Sequence, residues 1–554
     1  MYKIVVTLDD KLLAQQEHYV KLKLSNKNLG GEELRKLAEV LKANNTLVDL
    51  NLGYSKIQAL GAKSLAGMLT INNSLTSLGL EGNEIGDIGV KSLAEALGHN
   101  NTIVSLNLSY NKIGSLGMDD LAGMLEKNKI LTSLHLGGNN IGNYGAKKLL
   151  KVLETKHFLK ELYLNHNGIQ DLGVIAIANM LKASNSLTKL CLSLNSFDSQ
   201  GVVELAEALK INSSLMKFDL SYNRVQDSSV EALASMIKAN HSMTTLCLSY
   251  NFLGCKGIKK LAEALKINNS LTFLNLRGNV GIGNQGAIEL AKMLKVNDSL
   301  TKLDLGYSDV ESLGAKALAE AVKANRVFTS LCLDGNEIGD EGAKYLAETI
   351  KANRILTSLC LNENKIKAPG VKELAQALKM NNVLTTLDLG GCTISSEGIK
   401  ALAEMFKVNT SLMKLDLSET CVNQDGITAL AEARLFDVIT DVDSIKHENI
   451  RYKTREEIEN LLSEYGGRFT QIYLSAGTIL YKRVKPPKRI FKPLDESGKK
   501  DEPPLKKAKL NKTISELKLL ETKNDSLNAT DALCFEQDST SDTLDMICGV
   551  SDLL

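Results

Sequence analysis

Tyrosine, aspartate, cysteine and histidine are the residues of this chain that could do chemistry, and each recurs at a spacing that can be tested for a site. The seven histidines, His18, His99, His135, His157, His166, His241 and His447, do not fall into metal-ligand spacing. No nucleophile sits in register with a base, so neither catalysis nor a cofactor or metal is expected. Nine cysteines are an odd number without the close pairs of a disulfide or zinc framework, and Cys191, Cys247, Cys332 and Cys360 share one recurring position. They read as reduced, small apolar filler. The tyrosines read differently: Tyr54, Tyr110, Tyr222, Tyr250 and Tyr307 fall on one recurring position and Tyr163 on a neighbouring one. Tyrosine joins a large contact area to a polar tip and is favoured at binding hot spots. With Asp304, Asp388 and Asp416 they are the candidate partner-binding residues. Duplication of a unit would copy such a tyrosine without any binding role, so the expectation concerns the row as a surface.

What must position these residues is a repeat. The pattern Leu-x-x-Leu-x-Leu-x-x-Asn-x-Ile is clean at Leu75–Ile85, Leu131–Ile141 and Leu356–Ile366. Its last strand leucine serves as an anchor at Leu24, Leu52, Leu80, Leu108, Leu136, Leu164, Leu192, Leu220, Leu248, Leu276, Leu305, Leu333, Leu361, Leu389 and Leu417. That makes fifteen units with steps of 28 residues, broken once by a step of 29 between Leu276 and Leu305. A period in this range marks a solenoid.

In the unit from Leu75, alternation puts Leu78 and Leu80 on one face of a short strand and Ser77 and Gly79 on the other. Asn83 ends the strand, and ten units carry asparagine there. Its amide can bond to the backbone of the turn and of an adjacent unit. Val90, Leu93, Ala94 and Leu97 follow at i, i+3, i+4 and i+7, the buried stripe of an amphipathic helix. Strands about 4.8 Å apart against helices about 10 Å apart force a bend with the sheet inside. The fold class is therefore α/β, a horseshoe solenoid with a parallel inner sheet and outer helices. The tyrosine row lies two residues past the anchor. The row between the strand leucines, to which Tyr163 and the three aspartates belong, faces the concave side and ends acidic.

The strand pattern, followed by Gly-x-x-x-Leu-Ala-x-x-Leu, resembles the ribonuclease-inhibitor-like subclass of leucine-rich repeats over about residues 20 to 435. That subclass also occurs in Ran GTPase-activating proteins and in the repeat regions of nucleotide-binding innate immune receptors. The chain departs from mammalian ribonuclease inhibitor in lacking tryptophan and in keeping one repeat length. It has no Gly-x-x-x-x-Gly-Lys-Ser/Thr loop, so a complete immune receptor is excluded. The resemblance implies a fold and, through the Ran activator, an alternative role as regulator of a small GTPase.

A net charge of +1 gives no overall field toward nucleic acid. The amino terminus meets Asp9 and Asp10 before a signal sequence could form, and no stretch suggests a membrane span. Sequons such as Asn72-Asn73-Ser74 and Asn297-Asp298-Ser299 fall at the helix-to-strand turn, where turn chemistry explains them better than glycosylation. The expected domains are an N-terminal cap over 1–19, the repeats over 20–438, a helix-plus-hairpin cap over 439–484, and a disordered tail over 485–554, basic and then acidic. Within the tail Lys506, Lys507 and Lys509 resemble a nuclear localisation signal, which would bring in an import receptor; a solvated linker is the other reading. The whole reads as a non-enzymatic scaffold, cytoplasmic and with a route to the nucleus, holding a protein partner on its concave face. A nuclear effector using the tail is a further alternative.

Overall fold

The computed structural model describes residues 20–420, residues 426 and 429, and the backbone of residues 472–475 and 478–481. The expected N-terminal cap over 1–19, the helix expected in the 439–484 cap, and the tail over 485–554 with Lys506, Lys507 and Lys509 lie outside the described residues. Among those described, fifteen three-residue strands run from Lys21–Lys23 to Lys414–Asp416, and fourteen helices alternate with them. The strands form one parallel sheet in strict sequence order. Residues of equal repeat position pair across it, as Leu78 does with Leu50 and Leu106. The tenth strand, Phe273–Asn275, keeps this register with Lys302–Asp304 despite the 29-residue step. Two further strands, Ile472–Ser475 and Thr478–Tyr481, pair antiparallel as a hairpin.

Alternation along the strands from Asp49–Asn51 onward buries the central leucine, or Phe218 in the eighth, and leaves most flanking residues half-exposed on the face away from the helices. Behind the sheet, Val90, Leu93, Ala94 and Leu97 of helix Gly86–Leu97 are buried, as are their equivalents in the other described helices apart from the half-buried Phe406. The chain is thus an α/β leucine-rich solenoid of the horseshoe type. No helix among the described residues is long and apolar enough to cross a membrane.

Two buried turns per unit would leave backbone groups without partners, and asparagines fill both. At the strand-to-helix turn, Asn83 donates from Nδ2 to the carbonyls of Leu52 and Leu80, both at 2.9 Å. Its Oδ1 accepts from the Ser55 amide of the previous unit at 2.8 Å. At the helix-to-strand turn, Asn72 donates to the carbonyls of Leu41 and Asn44 and accepts from the amides of Ser74 and Leu75. Asn72 is 4% exposed, so its sequon serves the turn. Asn297 repeats the arrangement with Leu265 and Asn268. Where Ser55 and Cys392 replace asparagine in the first ladder, they reproduce the donation to the previous unit, to Leu24 and to Leu361, whereas Thr420 donates to Leu417 of its own unit.

The extra residue lies in the turn after the tenth strand. Asn279 still bonds Leu248 and Leu276, and Ile282 is buried as its equivalents are, while Val280 projects into solvent. The insertion leaves both flanking units intact.

Replacing Asn111 by alanine should lower stability by about 2–4 kcal/mol, because it removes the bond to the Leu80 carbonyl at 2.8 Å and orphans the amides of Asn83 and Ile85. A urea melt measures the loss. Hydrogen exchange should rise first in the units holding Leu80 and Leu108, since each unit contacts only its neighbours.

Candidate functional site

The tyrosine row has a backbone conformation of its own. The residue two past the anchor adopts a left-handed φ in every one of the fifteen units, from 49° at Tyr307 to 71° at Gly278. Glycine occupies Gly82, Gly138, Gly278, Gly335 and Gly391 of that row without strain. A side chain there costs roughly 1 kcal/mol or more. The tyrosines lean along the solenoid onto the glycine of the next unit. A Cβ on Gly82 would lie 2.4 Å from the Tyr54 ring, and one on Gly138, Gly278 or Gly335 equally close to Tyr110, Tyr250 or Tyr307. Tyr222 is followed by Tyr250 instead, and the two rings stack at 4.2 Å.

Arginine joins three of these tyrosines into one cluster. Arg277 donates from Nε to the Tyr250 hydroxyl at 3.2 Å, and its guanidinium lies over the Tyr307 ring at 4.7 Å. It forms a bidentate ion pair with Asp334, two units further on, with Nη1 to Oδ1 at 2.8 Å. The intervening unit has Gly306, whose Cβ would meet Asp334 Oδ1 at 2.6 Å and Arg277 Nη1 at 2.7 Å. The missing side chain opens the path between the two charges. Tyr307 donates to Glu363 at 2.7 Å, again two units on. Burial opposes the charge of Arg277, but Asp334 and Asp304 outweigh it and hold the guanidinium firmly protonated.

A second cluster gathers around Tyr163. His135 stacks on its ring at 3.9 Å, Lys189 Nζ lies 5.0 Å from the ring centroid, and the hydroxyl donates to Glu161. Burial pulls His135 down to about 4, against the opposing pull of Glu161. Tyr110 lies 6.4 Å from His166, and Tyr54 donates to Glu81. The structure therefore unites Tyr222, Tyr250 and Tyr307 and places Tyr54, Tyr110 and Tyr163 apart from them.

The acidic row is continuous in register through Asp304, Cys332, Cys360, Asp388 and Asp416. Burial raises Asp304 to about 6, partly offset by the Gly306 amide and Arg277. Burial and then the Asp416 charge raise Asp388 to about 6. Asp304, Cys332 and Asp334 bring potential ligand atoms within 4.8 Å of one another. Since Arg277 already neutralises Asp334, the group reads as part of an ion-paired network. The thiols of Cys332 and Cys360 interact, and this contact followed by burial raises Cys332 well above its usual value. Cys191, Cys255, Cys332, Cys360 and Cys392 are free.

Arg277, Asp334, Glu161 and Glu363 complete the clusters and were not singled out from the sequence. Arg277 and Asp334 sit one residue past the anchor, a row otherwise mostly of glycine, serine and asparagine. The available signal was a pair of opposite charges two units apart with glycine between.

Eight stretches of the chain, residues 43–66, 72–94, 99–122, 127–150, 155–178, 324–347, 381–403 and 408–431, match the family described as Leucine Rich repeat. Residues 195–312 match the TMOD/LMOD Leucine-rich domain. A comparison with curated proteins finds no match. Among solved structures the chain is similar to "Leiomodin-1 Actin-Binding Site 2 (ABS2)", with 23% identity and a TM-score of 0.23, covering 33% of this chain and 88% of that one. It is also similar to a chain of "Crystal structure of Rad7 and Elc1 complex in yeast", with 18% identity and a TM-score of 0.43, covering 76% and 92%.

The raised Asp388 gives a pH signature. The folded state disfavours its carboxylate, so the penalty is absent below the ordinary value of 3.8 and fully present above about 6. Asp388→Asn keeps an oxygen for the Gly390 amide, now bonded at 3.0 Å. Its melting temperature should exceed that of the unaltered protein near pH 8, with the difference vanishing near pH 4.

Proposed function

The chain is a leucine-rich repeat protein, and from that premise we propose that it is a non-enzymatic scaffold that holds a protein partner on the concave face of the sheet. The observation that carries this reading is the cluster of Tyr222, Tyr250, Arg277 and Tyr307 on that face. Tyrosine and arginine dominate binding hot spots, and those held rigid before binding lose little side-chain freedom on contact. Here stacking, an ion pair and hydrogen bonds hold them. Beyond the cluster, Asp388 and Asp416 extend the face with carboxylates that suit a basic element of the partner.

The test substitutes Tyr222, Tyr250 and Tyr307 together by glycine, the residue that other units carry at this position and that fits its left-handed backbone. Proteins retained from cell lysate by tagged full-length chain are compared with those retained by the variant. A specific partner should be lost, or weakened at least tenfold, while far-ultraviolet circular dichroism stays unchanged. Undiminished capture by a folded variant would overturn the concave-face reading.

A further inference from the structure

A second surface lies on the helical side. Leu60, Ile88, Leu116, Tyr144 and Leu172 occupy the same repeat position, eight residues past the anchor, in five successive units. Each stands in the first turn of its helix and is between 54 and 80% exposed. The next four units place Gln200, Ser228, Lys256 and Gln285 there. Leu313 is an isolated exposed leucine at the same position further on, and single exposed apolar residues are ordinary, but a contiguous row of five marks a contact surface. The fold does not use these side chains, since the buried positions of the same helices are Ala62, Leu65, Val90, Leu93 and their equivalents.

Two features define what fits. Packed helices are spaced roughly 8–10 Å apart, so the row offers one large apolar residue at about that interval. A helix laid along it presents every seventh residue at about 10.5 Å, close to the same interval. Beside the row, three or four residues further along each helix, stand Lys63, Lys91, Lys147 and Lys148 against Asp119 and Asp120. Lys148 pairs with Asp119 at 3.1 Å and lies over the Tyr144 ring. That side of the row is net basic, while Asp87 and Asp171 stand on its other side, directly before Ile88 and Leu172. A second copy fits poorly: two-fold pairing of the row with itself would set Lys91 against Lys147 and Asp119 against its own equivalent. We propose that the row formed by Leu60, Ile88, Leu116, Tyr144 and Leu172 docks an amphipathic helix of another protein, with one large apolar residue per heptad flanked by glutamate or aspartate.

The probe is a fluorescein-labelled synthetic helical peptide with leucine at every seventh position flanked by glutamates, titrated with full-length protein and followed by anisotropy. Saturable binding is expected, absent for a scrambled peptide of the same composition. It should fall at least tenfold in Ile88→Glu/Leu116→Glu, whose exposed positions leave the melting curve unchanged. Lys91→Glu/Lys147→Glu should weaken binding and flatten its salt dependence. The concave variant with Tyr222, Tyr250 and Tyr307 replaced by glycine should bind as before, which separates this surface from the concave one. No saturable binding, equal binding of the scrambled peptide, or full binding by a folded Ile88→Glu/Leu116→Glu variant would overturn the proposal. So would concentration-dependent self-association in sedimentation that this variant abolishes, which would assign the row to a second copy.

Discussion

Buried backbone in the turns is the constraint on which the rest depends. A three-residue strand and a helix of three turns meet through two bends per unit, and each bend lies between two other units, out of reach of water. Unpaired amides and carbonyls there would cost about 1–3 kcal/mol apiece. The side-chain amide of asparagine offers two donors and an acceptor at the right reach, so a single residue type can tie three backbone segments together. Asn83 and Asn72 do so on opposite edges of the sheet. Their bonds run between units, which makes the same contacts that satisfy a turn also fix the stacking register.

The left-handed residue beyond each strand follows from that geometry. The chain must turn sharply to bring the ladder asparagine inward, and the turn is the same in every unit whatever side chain it carries. Glycine accommodates it and leaves a flat patch of backbone, and a tyrosine from the preceding unit lies down on that patch. The concave aromatic surface is therefore built from alternating flatness and bulk. Where the alternation fails, at Tyr222 and Tyr250, ring stacks on ring, and Arg277 closes the next gap.

The period, the anchors, the helix stripe and the strand-end asparagines were legible in the sequence because each is a local pattern repeated many times. The helix-to-strand asparagines were also visible, through sequons such as Asn72-Asn73-Ser74, and their inter-unit role follows from the same turn chemistry. The cluster was only half legible. Tyr222, Tyr250 and Tyr307 stood out as a row, but their union depends on Arg277, whose partner is 57 residues away and whose path runs over Gly306. Such a pairing needs the lateral register of three strands.

The single 29-residue step carries a practical consequence. Around Val280 the chain adds a residue, yet the ladder bonds of Asn279 and the burial of Ile282 match those of other units. The assembly keeps time by its strands and helices and ignores the length of the thread between them. That turn is a natural splice point, where a peptide tag or a reporter loop could be grafted into the middle of the array without disturbing the units on either side.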